Sequence, residues 1–449
     1  MVPLPPTGSE RSALVVVGES CRALARSCRA AGWDVSAIDR YGDRDLLAVC
    51  QSFHSWPAIA SDPAAPLDPL WPVMCKLPAG PILPAGGMEQ PHRVPRQFPP
   101  GCTYCGPQAE QLDRLRDVRQ WRRWAKQSGL HFPNTQFRYS GKLGHARDWP
   151  AGWLIKRSDS GGGLGVRSVV ELGRNTASDI PGSAGPPTWA AAPYHYYQQR
   201  LPGPTIGVVL ASSTSGSRVL GASLAVESHQ WPGPRQYIYR GSHGPIVLPQ
   251  HLLVRLTRLA ELVAVQTGIR GVWGVDLARG RQGDWCLLEI NPRWSASMEI
   301  IELASGDNLA AVHLDAWGWP APTQPAHDRL ATIPTVGQSP ACDRRAAFGS
   351  PPLELPREAQ PGSPVKLLKL VIYCQRTFQV TQQQSDALFV HRLPEPTSAE
   401  AVHLISQSAA GWRLADIPKA GDYVPRGAPL MTLLVWGPRK QLWQIAHRV

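Results

Sequence analysis

The chain has 449 residues, enough for roughly two to four separate cores, and at 43% hydrophobic and 18% charged residues it is not a wholly disordered polypeptide. No segment approaches the roughly 18 consecutive apolar residues of a membrane span, and nine cysteines without small-scaffold spacing argue against a disulfide framework. Forty-six Lys and Arg against 34 Asp and Glu give a net charge of +12, which favours acidic partners.

The basic residues are spread along the chain. Their densest run, Arg114 to Gln127, has helical spacing and reads as a solvated helix face, so nucleic acid is not the expected partner. The opening residues carry prolines where a signal peptide needs a basic region, which makes the cytoplasm the expected compartment. Cys102 and Cys105 form a lone CxxC in a Pro/Gly-rich stretch, with no second pair to complete a zinc site.

From the start, Ala13 to Val17 is a buried apolar run. Leu24, Cys28 and Ala31 follow at helical spacing, Gly32 stops the helix, and Asp34 to Ile38 is the next strand. This is the βαβ opening of a parallel sheet. Asp39, at the carboxyl end of the second strand, brings a dinucleotide site to mind, but Ser20 stands where the second fingerprint glycine is needed. A nicotinamide-dependent oxidoreductase built on this unit is therefore the alternative reading. Residues 55–107 are proline-crowded, with one short strand at Pro81 to Leu83; a helix is expected from about Leu112 to Ser128, ended by Gly129.

β-rich segments run from Phe137 to Leu210, a helix from about Leu248 to Gly268, and another over Asn308 to Trp317. Ten prolines between 320 and 364 mark a linker, and the strand-like runs after it suggest a small β-rich domain or a β layer added to the body.

Three stretches carry chemistry. Residues 271–291 read as a hairpin turning around Gly283, which sets Asp276 roughly opposite Glu289; Asn291, two further on, shares that face, and Arg293 extends the row. Two carboxylates and an amide oxygen are hard ligands suited to Mg²⁺, and Arg293 can neutralise phosphate. A polar strand end with Asp276 in a surface salt bridge fits the spacing equally well. In "WLIKRSDSGGGLGVRSV" a strand delivers Lys156 ahead of Gly161, Gly162, Gly163 and Gly165, whose backbone can approach phosphate or simply form a flexible hairpin. "YYQQRLPGPTIGVVLAS" is a strand, a Pro-Gly break and a strand.

In this order the three stretches resemble the ATP-grasp superfamily over roughly Leu112 to Trp317, most specifically through "LLEINPRWSAS". The resemblance implies an α/β protein: a Rossmann-like pre-ATP-grasp domain (12–107), an α+β ATP-grasp domain (108–319), the Pro-rich linker (320–364) and the β-rich C-terminal region (365–449). It implies ATP and Mg²⁺ (or Mn²⁺) as cofactors, with Asp276, Glu289 and Asn291 as metal ligands. Lys156 would contact phosphate, Gly161 to Gly165 would form the lid, and Gln199 and Leu201 the adenine hinge. Arg293 and Lys156 would be catalytic, and Ser295 and Ser297 would face the transferred phosphate or acyl intermediate. Many members have a cation directly after the Asp that here is Asp117; Val118 stands there, leaving Arg119 or Arg122 as substitutes.

"NPRWSASMEIIELASGDNLAAVH", "RALARSCRAAGWDVSAIDRYGDRDL" and "ADIPKAG" together resemble a narrower group, predicted carboligases related to biotin carboxylase in archaea and methanopterin-using bacteria. The implied activity is ligation of a small-molecule carboxylate to an amine through an acyl phosphate, in one-carbon metabolism or cofactor biosynthesis. A non-catalytic ATP-binding protein is the other alternative, and a homo-oligomer is compatible with either.

Overall fold

The computed structural model describes residues 13–56, 71–137, 152–169, 195–322, 366–394 and 410–449. Most of the expected linker, 323–365, lies outside the described residues.

The opening is the expected parallel sheet. Strands β1 (Ala13–Gly18), β2 (Asp34–Asp39), β3 (Ser52–Ser55), β4 (Pro81–Pro84) and β5 (Thr103–Tyr104) stack in the order β3-β2-β1-β4-β5. Helix α1 (Arg22–Ala30) follows β1, α2 (Arg44–Val49) follows β2, and α3 (Trp71–Met74) precedes β4. Strand alternation sends Leu14 and Val16 to one core with Leu24, Cys28 and Trp33, and Val15 and Val17 to the other with Ile82 and Tyr104. The order reverses between β1 and β4, so a crevice opens at their carboxyl ends, the usual place for a ligand in such sheets. Glu19 and Gly86 meet there, the Glu19 N–H donating to the Gly86 carbonyl at 2.7 Å.

The single helix expected over 112–128 is two: α4 (Ala109–Leu115) and α5 (Val118–Ser128). Asp117 caps the second, accepting from the Arg119 N–H at 2.8 Å, and the Trp121 indole donates to the Leu115 carbonyl at 2.6 Å across the break. The break turns Arg116 inward, where it is 7% exposed.

A four-stranded sheet of β6 (Thr135–Gln136), β7 (Trp153–Arg157), β8 (Val166–Ser168) and β9 (His195–Gln199) has the order β6-β9-β7-β8. The larger sheet begins with β10 (Thr205–Ser213), β11 (Gly216–Ala225), β12 (Gly241–Gly244), β13 (Gly271–Arg279) and β14 (Trp285–Asn291). Helix α6 (Gln250–Thr267) joins α5 on one face, over Val208, Leu210, Val275 and Ile290. On the other face α7 (Ala296–Ser305) and α8 (Leu309–Asp315) pack against Val209 and Val272 and against α1.

The C-terminal strands extend this same sheet. β15 (Lys366–Tyr373) pairs with β12, and β19 (Pro429–Gly437) and β17 (Gly411–Ala415) follow, giving eight antiparallel strands in the order β14-β13-β10-β11-β12-β15-β19-β17. A small pair, β16 (Phe378–Gln379) and β18 (Tyr423–Val424), and helices α9 (Gln382–Phe389) and α10 (Arg439–Ala446) complete the described chain. No described helix is long and apolar enough to cross a membrane.

Candidate nucleotide and metal site

The hairpin of β13 and β14 sets Asp276 directly opposite Glu289 and Gly274 opposite Asn291. The Asn291 amide N–H donates to Asp276 Oδ2 at 2.9 Å, which fixes the amide beside the carboxylates. Gly207 and Gly274 lie against this cluster: a Cβ at Gly207 would be in ordinary contact with Ser297 Oγ and Asp276 Oδ1, and one at Gly274 with Ser295 Oγ and Asn291 Cβ. Ser295 and Ser297 lie 3.1 Å apart, Oγ to Oγ, so both hydroxyls belong to the same surface as the carboxylates.

Burial and the charge of Glu289 push the Asp276 carboxyl up to about 6, against the pull of Asn291, Arg293 and Lys156. Two carboxylates that resist sharing charge form a site that gains from a cation. Among the described residues no group of three or more His, Cys, Asp and Glu side chains could hold a metal. Asp276, Glu289 and Asn291 instead make a set of two carboxylates and an amide oxygen, the kind that leaves room for phosphate and water around Mg²⁺. The donor set fits that ion.

Three cations surround the carboxylates. Arg116 donates from Nη1 to Glu289 Oε1 at 3.2 Å and from Nη2 to the Ser160 carbonyl at 2.8 Å. Arg116, adjacent to Asp117, thus reaches the carboxylates from the position where sequence reasoning looked to Arg119 or Arg122. Those two are exposed on α5, and the Arg119 guanidinium lies 4.3 Å over the Phe137 ring. Lys156, 8% exposed on β7, donates to Gln198 Oε1 at 3.2 Å. Burial pulls its ammonium down, yet Tyr196, Glu289 and Asp276 outweigh that and hold it above its ordinary range. Arg293 sits with Nε 2.9 Å from Glu89 Oε1, so the opening sheet supplies a counter-charge to the hairpin. Burial would raise the Glu89 carboxyl, but Arg293 and Arg116 hold it below its usual value.

The glycine stretch lies folded over this cluster. Gly161 passes so close that a Cβ would meet Glu89 Oε1 and Arg293 Nη2. Gly162 and Gly163 both have positive φ, the Tyr239 N–H donates to the Gly162 carbonyl at 3.1 Å, and a Cβ on Gly163 would overlap the Tyr237 carbonyl. Gly165 closes the hairpin, its carbonyl accepting from the Arg157 N–H at 3.1 Å. Gln90 ties the loop to the opening sheet, donating to the Asp159 carbonyl at 2.7 Å.

At the expected hinge the alternation along β9 differs from the residue-by-residue expectation. Gln198 is buried beside Lys156, whereas Gln199 is exposed and its N–H donates to the Asn134 carbonyl at 2.9 Å; Leu201 is half-buried. Sequence reasoning also missed Glu89, which lies in a proline-crowded stretch with no periodic signal. Asp117 as a helix cap was the one available clue to Arg116.

Asp39 has a structural role in this fold. Its carboxylate is fully buried and accepts backbone N–H bonds from Cys21 at 2.6 Å, Tyr41 at 2.8 Å and Gly42 at 2.7 Å, which tie the end of β2 to the loops around it.

The fold and site together define an α/β protein in which three buried cations converge on a carboxylate hairpin. Residues 117–297 match the ATP-grasp domain model, so this stretch of the chain is an ATP-grasp domain. No curated protein matches the chain. Among solved structures it is similar to the biotin carboxylase domain of Hydrogenobacter thermophilus 2-oxoglutarate carboxylase, solved with MgADP, ADP and bicarbonate. That likeness has a TM-score of 0.62 and 14% identity, over 97% of this chain and 88% of that one. Rhizobium etli pyruvate carboxylase gives a TM-score of 0.62 and 17% identity over 97% of this chain, which spans 37% of that longer protein. The L-amino acid ligase of Bacillus licheniformis gives 0.56 and 11% identity, over 98% of this chain and 97% of that one.

Proposed function

We propose that the protein is an ATP-dependent ligase joining a small-molecule carboxylate to an amine. The observation that carries this reading is the Asp276–Glu289 pair, with Asn291 beside it and Arg116, Lys156 and Arg293 around it. A substrate carboxylate oxygen attacks the γ-phosphorus of ATP and ADP departs. The amine nitrogen then attacks the acyl carbon, phosphate leaves, and the amine proton is lost to solvent or a nearby base. Mg²⁺ bound by Asp276, Glu289 and Asn291 would neutralise phosphate charge.

The chain's own residues do the rest. Lys156 and Arg116 hold phosphate oxygens, Arg293 stabilises charge on the transferring group, and Ser295 and Ser297 orient the acyl end. The glycine loop, anchored by Gln90 and Tyr239, keeps water from the acyl phosphate. Gln199 and Leu201 are the proposed adenine contacts, by their backbone.

The resemblance of the opening, hairpin and "ADIPKAG" stretches to carboligases of methanopterin-using organisms supports a cytoplasmic role in one-carbon metabolism or cofactor biosynthesis. The test is a panel of carboxylic acids with ATP, Mg²⁺ and hydroxylamine, read as ADP release and hydroxamate. Acid-dependent formation of both is expected. ATP binding without hydroxamate from any acid would leave a non-catalytic ATP-binding protein.

A further inference from the structure

Arg293 leaves the turn between β14 and α7, and its side chain is 15% exposed. A long, rotamer-rich side chain keeps one direction only where something holds it. What holds Arg293 comes from the opening sheet. After β4 the chain turns through Gly86 and Gly87 into a short 3-10 turn, Pro91–Arg93, and Glu89 projects from this loop, 5% exposed.

Each oxygen of Glu89 has its own partner. Oε1 lies 2.9 Å from Arg293 Nε, and Oε2 accepts the Gly87 N–H at 2.6 Å. Arg93 braces the same turn, its Nη1 donating to the Gly87 carbonyl and to Glu19 Oε1, both at 2.9 Å. Burial would raise the Glu89 carboxyl, but Arg293 and Arg116 hold it below its usual value, so it is an anion at neutral pH.

Glycines fit around the guanidinium. A Cβ at Gly86 would lie 3.8 Å from Arg293 Nη1, and one at Gly161 would lie 3.0 Å from Nη2 and 2.9 Å from Glu89 Oε1. Nη1 donates to the Trp294 carbonyl at 3.3 Å, while Nη2 makes no hydrogen bond among the described residues. The pair thus turns Nε to the opening sheet and leaves Nη2 beside the glycine loop. Arg116 Nη2 reaches the adjacent Ser160 carbonyl at 2.8 Å, so two guanidinium groups converge on neighbouring residues of that loop.

We propose that Glu89 is the positioning residue for Arg293, holding the guanidinium so that Nη2 faces the transferring phosphoryl group beneath the glycine loop. The assignment rests on the phosphoryl transfer of the proposed ligation. A cation held in place beforehand stabilises developing charge without reorganising, so the effect of Arg293 depends on Glu89. An ion pair that only joined two parts of the fold would bear on nucleotide and transition-state mimic alike.

The test is calorimetric titration of the full chain with MgADP, with and without fluoroaluminate as the mimic of the transferring group. In wild type, fluoroaluminate is expected to tighten MgADP binding by about a hundredfold. Glu89→Gln keeps the shape and removes the charge. It should lose about ten- to a hundredfold of that gain while binding MgADP alone as wild type does. Arg293→Ala loses the gain too, and adding Glu89→Gln to it costs nothing further. A full gain in Glu89→Gln, equal weakening with and without fluoroaluminate, or an additive loss in the double variant would each overturn the inference. If Glu89→Gln does not fold, Glu89→Asp keeps the charge and withdraws it by one methylene; a reduced gain there supports the role, and a full gain overturns it. Loss of the gain in Arg293→Ala but not in Glu89→Gln would sink the positioning role alone. No gain in wild type would sink the ligase reading, and the positioning role with it.

Discussion

Arg116 Nη1 lies 3.2 Å from Glu289 Oε1, joining the break between α4 and α5 to the end of the carboxylate hairpin. The same guanidinium holds the glycine loop through the Ser160 carbonyl, so one side chain links the end of the carboxylate hairpin and the loop proposed as the lid. Arg116→Met removes both bonds. ATP affinity is expected to fall by about ten- to a hundredfold, the worth of a charge-assisted bond in a buried setting. Arg119→Ala and Arg122→Ala are expected to leave it unchanged, and calorimetry with MgATP separates the three.

The lid makes its own prediction. Gly162 and Gly163 both need positive φ, but a Cβ on Gly162 meets nothing within 4 Å while one on Gly163 strikes the Tyr237 carbonyl. Gly162→Ala should cost only about 1 kcal/mol of local strain. Gly163→Ala should prevent the loop from seating, raising the KM for ATP and admitting water, seen as ADP release uncoupled from amide formation.

Arg22 holds together α1, α7 and the C-terminal sheet through Glu299, Asp416 and Asp45. Arg22→Met leaves the buried Glu299 and Asp45 and the half-buried Asp416 short of charge, and about 3–5 kcal/mol of destabilisation is expected in urea unfolding.

Glu302 supplies a pH signature. Burial pushes its carboxyl up to about 7, against its bonds from Ser27 and the Leu309 N–H. Its folded pKa is raised, so its contribution is full below the unfolded value of 4.5 and is lost as pH rises toward about 7. The wild-type stability curve should therefore fall relative to that of Glu302→Gln across this window, by on the order of 2–3 kcal/mol.

The hairpin was legible because its signals are local: two apolar strands, a glycine turn, and residues two apart on one face set Asp276, Glu289 and Asn291 together without reference to the rest of the chain. Arg116 was hidden because Leu112, Leu115, Val118 and Trp121 keep helical spacing straight across the break, and only the cap at Asp117 interrupts it. Glu89 and the β12–β15 pairing depend on contacts between distant segments, which periodicity does not encode. Asp39 is the opposite case: its position along the chain matches a cofactor site, while the backbone N–H groups bonded to its carboxylate come from the fold around it.

The most direct measurement is ATP binding by calorimetry with and without Mg²⁺, for wild type and Glu289→Gln. The account predicts binding that depends on Mg²⁺ in wild type and is weakened by about a hundredfold in the variant, with ATP alone binding both proteins alike. Affinity that ignores Mg²⁺, or that is the same in Glu289→Gln as in wild type, would contradict the assignment of the Asp276–Glu289 pair.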